Sequence, residues 1–150
     1  MQELDRLTDK YNLTKIKTIG DSYMAACGVP VPCGDHCERG VYFCFEAHLA
    51  LRGIRNPLGG EVHMRTGMHV GSLVSGVVGT RRFAYDLWGD TVNVASRMES
   101  NGVSGMLCVS RRVVNALPAD KFNVEERPPI HVKGQVSSWQ VYLAMAESLS

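Results

Sequence analysis

The sequence predicts an α+β fold, with helices packed on a largely antiparallel sheet. Two observations carry that reading. Apolar residues alternate in short runs joined by tight turns, as in Leu13–Ile19 and Ser22–Cys27 about Gly20-Asp21, which marks hairpins. Longer stretches at helical spacing stand between those runs, so strands and helices are mixed along the chain. The 150 residues suit one domain with a sizeable core, and no repeat or low-complexity tract divides them.

In order, Met1–Asn12 reads as an amphipathic helix with Leu4, Leu7 and Tyr11 on one side. The hairpin Leu13–Ile19 and Ser22–Cys27 follows, then a Pro- and Gly-rich loop over Gly28–Gly34. Asp35 can cap a helix running to about Arg52, with Val41, Cys44, Phe45, His48 and Leu49 inward. After a loop at Asn56–Gly60, Val62–Val70 alternates as a strand with His63 and His69 partly buried. Gly71–Gly79 is a small-residue turn into a further extended segment. It lacks the Lys and Ser/Thr of a P-loop.

Phe83–Ser100 is the most informative stretch. A short strand, Phe83–Trp88, is broken by Gly89; Asp90 stands at a helix N-cap position, and Thr91–Glu99 is helical. Val92, Val94, Ala95 and Met98 supply the apolar positions. Asn93 and Arg97, four apart, share a polar face that can meet an anion or simply solvent. A strand at Met106–Val109, a helix at Ser110–Leu117, extended runs at Lys121–Glu126 and Ile130–Lys133, and a strand at Trp139–Ala144 complete the chain.

Composition narrows the function. With 45% hydrophobic and 21% charged residues the chain is an ordinary globular one, and its net charge of +1 offers no basic field to nucleic acid. No apolar run spans a bilayer, and MQELDRLTDKY is not a signal peptide, which makes a reducing, cytoplasmic setting the expectation. The five cysteines form no small-scaffold framework, so free thiols are expected. Cys33-Gly-Asp-His-Cys37 resembles half a zinc site without a second pair of ligands. Asp21, at a hairpin tip, can hold Mg²⁺ or be plain turn chemistry. Lys133, before a Gly in an extended segment, is by itself an ordinary exposed Lys.

KIKTIGDSYMAACGVP and YDLWGDTVNVASRMES, with RTGMHVGSLVSGVVG between them and HVKG after, resemble the class III nucleotide cyclases, the adenylyl and guanylyl cyclase catalytic domain. The resemblance covers essentially the whole chain. It implies a ferredoxin-like βαββαβ core with extra strands, working as a head-to-tail dimer with sites at the interface. It implies conversion of a nucleoside triphosphate to a 3′,5′-cyclic monophosphate and pyrophosphate. By the same resemblance Asp21 is one of two metal aspartates, and Lys17 and Asp86 read the purine. Asn93 and Arg97 act on the transition state, while Lys133 and Arg81 meet the phosphates. Asp21 and Arg81 would come from one subunit, and Lys17, Asp86, Asn93, Arg97 and Lys133 from the other, in a homodimer or a pseudo-heterodimer with another cyclase domain.

Guanylyl members carry Glu and Cys where Lys17 and Asp86 stand. An acceptor at Asp86 and a donor at Lys17 complement the 6-amino group and N1 of adenine, so ATP is the expected substrate. The family's first metal aspartate lies in a stretch resembling F-x-D-I-x-G-F-T, which has no counterpart here; Asp5 and Asp9 do not match it. Residues 1–150 are therefore expected to be a single cyclase domain lacking its first strand and helix, weak or inactive alone, with two Mg²⁺ or Mn²⁺ ions in a complete site. Any membrane link would lie in absent segments of a longer parent. A guanylate cyclase and a non-catalytic regulatory cyclase-homology domain are the alternatives.

Overall fold

Helical and alternating spacings in the first third of the chain produce the elements they predict. The computed structural model describes residues 2–29, 32–51, 54, 57–60, 64–78, 84–118, 121–130 and 139–146. Helix α1 (Gln2–Lys10) buries Leu4 and Leu7. Strands β1 (Thr14–Ile19) and β2 (Ser22–Ala26) pair antiparallel, with Ile19 opposite Ser22 at the turn. Gly20 takes φ 58 there, at the first central position of the turn, a left-handed conformation that glycine adopts without strain. The register shifts between Lys15 and Lys17. Such a bulge adds a residue and re-aims the side chains on either side of it. Lys15 reaches back to Asp5 on α1, Nζ to Oδ1 at 3.0 Å, and Lys17 is freed for a different partner.

Helix α2 (His36–Leu51) buries Cys37, Val41, Cys44, Phe45 and Ala47. Val41, Cys44 and Phe45 face the core as their spacing predicts. Leu49 does not: it is 41% exposed, because the buried seam through residues 37, 41 and 44 leaves it at the edge. His48 lies partly buried, with Nε2 at 2.6 Å from Thr66 Oγ1.

Strand β3 (Thr66–Met68) is shorter than the predicted Val62–Val70. Glu61–His63 lie outside the described residues, and the strand ends at Met68. The small-residue stretch continues as β4 (Val74–Val78), a hairpin partner of β5 (Ala84–Trp88). Helix α3 (Asp90–Ser100), strand β6 (Leu107–Ser110), helix α4 (Arg111–Ala116), strand β7 (Phe122–Ile130) and strand β8 (Trp139–Ala146) follow. The two extended runs expected at Lys121–Glu126 and Ile130–Lys133 are joined, within the described residues, as β7. Its register shifts between Arg127 and Ile130, where Pro128 and Pro129 withhold their ladder donors. β7 tolerates them because it is an edge strand.

The main sheet has the order β3-β6-β8-β7, parallel between β3 and β6 and antiparallel elsewhere. Two antiparallel hairpins, β1-β2 and β4-β5, complete a mixed fold with a mostly antiparallel, ferredoxin-like core. Helix α3 covers β3 and β6. The approach is close: a Cβ on Gly67 would stand 2.1 Å from the Glu99 nitrogen, so a side chain there cannot fit under the helix. Leu107, Val109, Val113 and Phe122 meet Leu7 and the buried face of α2 in one core. No helix of the described residues is long and apolar enough to cross a membrane.

Candidate active site

Lys17 and Asp86 are 69 residues apart in sequence, yet β1 and β5 bring them together, Nζ to Oδ2 at 3.0 Å. The Lys17 ammonium lowers the Asp86 carboxyl below its ordinary range, helped by the Leu87 N–H, which donates to Oδ1 at 2.8 Å. Across the hairpin Asp86 stands opposite Gly76, which has no side chain to cover it. The two side chains are 40% and 20% exposed, so each keeps hydrogen-bonding capacity for a ligand. The ion pair presents an acceptor and a donor side by side.

Asn93 and Arg97 lie exposed on one face of α3, while Val94 and Met98 are buried beneath. The helix starts one residue earlier than predicted. Gly89, not Asp90, is the N-cap, at φ 125, and its carbonyl accepts the N–H groups of Val92 and Asn93 at 3.2 and 3.3 Å. Asp90 is the first helical residue, an acidic group in the first turn at the positive end of the helix dipole. Glycine wins the cap because that backbone angle excludes a side chain. Thr91 Oγ1 donates to the Ser72 carbonyl, tying the helix start to the segment before β4. At the far end Asn101 donates twice to the Arg97 carbonyl, and Arg65 pairs with Glu99 at 3.3 Å. Asn93 and Arg97 therefore project from a helix fixed at both ends, as a preorganised site requires.

Asp21 stands apart from both pairs, exposed at the β1-β2 turn. Among the described residues it has no hydrogen bond or ion pair to Lys17, Asp86, Asn93 or Arg97. Arg81 and Lys133 lie outside the described residues. Among the described residues no three His, Cys, Asp or Glu side chains gather to hold a metal ion. Asp21 is a single carboxylate, so these residues do not by themselves make a two-metal centre.

One polar contact escaped sequence reading. His69 Nδ1 lies 2.5 Å from Ser110 Oγ. Ser110 is the N-cap of α4 but makes no side-chain cap bond, because its hydroxyl is turned to His69. Burial, with Arg112 nearby, lowers the His69 pKa to about 4, so the ring is neutral near pH 7. A serine before a helix is a visible signal; its histidine partner 41 residues away is not.

The sequence matches the family described as "Adenylate and Guanylate cyclase catalytic domain" over residues 1–145. This chain belongs to that family. It is a class III nucleotide cyclase domain. It is 45% identical over 131 residues to an adenylate cyclase of Mycobacterium tuberculosis, covering 87% of this chain and 29% of that protein. It is 41% identical over 134 residues to the human guanylate cyclase soluble subunit beta-2, covering 89% of this chain and 22% of that protein. The cyclase domain thus spans less than a third of the curated relatives it matches. The crystal structure of the guanylate cyclase domain of RhGC from Catenaria anguillulae, in complex with GTP, superposes with a TM-score of 0.89 at 30% identity, covering 97% of this chain and 79% of that one.

Proposed function

We propose that this cyclase domain acts on ATP, forming 3′,5′-cyclic AMP and pyrophosphate. The observation that carries the choice of base is the Lys17–Asp86 pair at 3.0 Å. The Asp86 carboxylate only accepts hydrogen bonds and the Lys17 ammonium only donates them. Adenine offers a 6-amino donor beside an N1 acceptor and satisfies both. Guanine offers O6 and N1–H, reversed, and leaves both mispaired.

The reaction is attack of the ribose 3′-hydroxyl on the α-phosphorus, in line with departing pyrophosphate. Its demands are positioning and charge stabilisation. Arg97 stabilises charge gathering on the α-phosphoryl oxygens, since its guanidinium forks onto phosphate. Asn93, one turn away, orients the ribose. Arg81 and Lys133 are assigned to the leaving pyrophosphate. Asp21 is assigned to metal, Mg²⁺ or Mn²⁺, which when bound lowers the 3′-hydroxyl pKa. Cyclic AMP formation that depends on Mg²⁺ or Mn²⁺ and falls in Asp21→Asn would support the metal assignment; turnover without a divalent metal would refute it.

The partner is a second cyclase domain, either another copy or a paralogous one. Ile19, Val74, Val77 and Trp88 are 66%, 64%, 62% and 42% exposed on β1, β4 and β5, an apolar surface beside the Lys17–Asp86 pair. Covering it with a partner places that pair at an interface. The domain is assigned to the cytoplasm, or to the cytoplasmic side of a longer membrane protein. The test of base choice is a double substitution, Lys17→Glu with Asp86→Cys, in a competent dimer. Loss of ATP use with gain of GTP use supports the reading; an unchanged ATP/GTP preference overturns it.

A further inference from the structure

The cyclase reading makes no use of the cysteines. Cys37, Cys44 and Cys108 are buried, while the free thiols of Cys27 and Cys33 are partly exposed. The exposed two face each other, Sγ to Sγ at 3.5 Å. Cys27 follows the end of β2, and Cys33 lies just before α2. Gly28 turns the chain back at φ 82, where a Cβ would meet the Cys33 nitrogen at 3.8 Å and the Cys33 sulfur at 4.0 Å. The Cys33 carbonyl accepts from His36 Nδ1 at 2.8 Å, which fixes its backbone to the first turn of α2. A disulfide needs its sulfurs at about 2.05 Å, so closure asks roughly 1.5 Å of approach between side chains already in contact.

We infer that Cys27 and Cys33 are a dithiol modification site, oxidised by a peroxide to an intramolecular disulfide. The overall balance is two thiols and one hydrogen peroxide giving one disulfide and two waters. In the first step the Cys33 sulfur attacks a peroxide oxygen, the O–O bond breaks, and a sulfenic acid and water form. In the second the Cys27 sulfur attacks the sulfenic sulfur, the S–O bond breaks, and the second water leaves.

The order of events follows from the surroundings. Burial, and then the contact with Cys33, push the Cys27 thiol up to about 11, so Cys27 holds its proton near pH 7. The Arg39 charge opposes that rise only in part. Its guanidinium is fixed by Asp35, with Nε to Oδ2 at 3.1 Å and Nη2 to Oδ1 at 3.0 Å. A cation beside a partly exposed thiol is the setting in which thiols react. The disulfide would tie the end of β2, the strand paired with the Lys17 strand, to the start of α2.

The test uses the reduced 150-residue chain, hydrogen peroxide, alkylation of remaining thiols and peptide mapping. The expected result is loss of two hydrogens from the intact mass and a Cys27–Cys33 cross-linked peptide, reversed by dithiothreitol. Formation should outpace oxidation of the three buried thiols by about tenfold or more. In Cys27→Ser the sulfenic acid on Cys33 should persist and be trapped by dimedone. Both cysteines still alkylated after peroxide, oxidation falling first on Cys37, Cys44 or Cys108, or Cys33 passing to a sulfinic acid in the unsubstituted chain would each overturn the inference. The readout is thiol chemistry, so it stands or falls independently of the choice between ATP and GTP.

Discussion

The two sides of this molecule are built on opposite terms. Where α3 and α4 meet the four-stranded sheet, the side chains are apolar and closed off. All four residues of β6 are buried, and Val94, Met98 and Val113 are 1%, 0% and 0% exposed. Where the β1-β2 and β4-β5 hairpins stand, large apolar residues face outward around a half-open ion pair. The closed side spends its residues on holding a shape. The open side carries the Lys17–Asp86 pair proposed to read the base, on strands whose apolar residues are exposed among the described residues. Helix α3 joins the two, with Met98 inside and Arg97 outside on adjacent positions.

The strongest way to break that contrast is at the closed side. Gly67→Val would drive a Cβ into the α3 backbone, against Ala95 O and Glu99 N, contacts that cannot yield. A loss of about 3–5 kcal/mol, enough to abolish cooperative unfolding in a urea titration, is expected. Arg97→Ala should do the reverse. Its side chain is exposed, so stability should stay within about 0.5 kcal/mol, while turnover in a competent dimer falls about 10²–10³-fold. Comparable losses in both measurements would show that the two sides are not separable.

Smaller effects sharpen the comparison. Lys17→Glu with Asp86→Cys should change the ATP-to-GTP ratio of kcat/KM by about 10- to 100-fold and leave the melting temperature nearly unchanged, since the pair is partly exposed. His69, on the closed side, is held neutral in the folded state. Its folded pKa of about 4 is below its unfolded value, so its contribution to stability is present above about pH 6.5. That contribution is lost as the pH falls toward 4. Replacing it with Gln should flatten the stability slope in this window by about 1–2 kcal/mol after allowance for partial exposure, measured by urea midpoints at several pH values.

The smallest effect is an expected constancy. Asp86 has its pKa lowered by Lys17, so its charge, and any stability it lends, is lost only as the pH falls below the ordinary carboxylate range. The ATP-to-GTP preference should therefore be flat between about pH 5 and 8. A preference that titrates near pH 6 would assign base selection to another group.

Local chemistry was legible in the sequence, and long-range geometry much less so. Gly20-Asp21 announced its hairpin, and the spacing of Val94, Met98, Asn93 and Arg97 announced a helix with a buried and an open face. The Asp90 cap was misread because Asp is the commoner cap residue, while only the structure shows the φ of 125 that selects Gly89. The gap between the extended runs Lys121–Glu126 and Ile130–Lys133 is, up to Ile130, a register shift on an edge strand. Lys17 and Asp86 were paired by resemblance alone, since nothing local in either stretch points to the other. The bulge after Lys15, which no residue type announces, separates the roles of two lysines otherwise alike.

The most direct test of the account is the ratio of kcat/KM for ATP to that for GTP, measured on a catalytically competent dimer of the unsubstituted domain. A ratio well above one is what an acceptor at Asp86 and a donor at Lys17 predict. A ratio at or below one would contradict it.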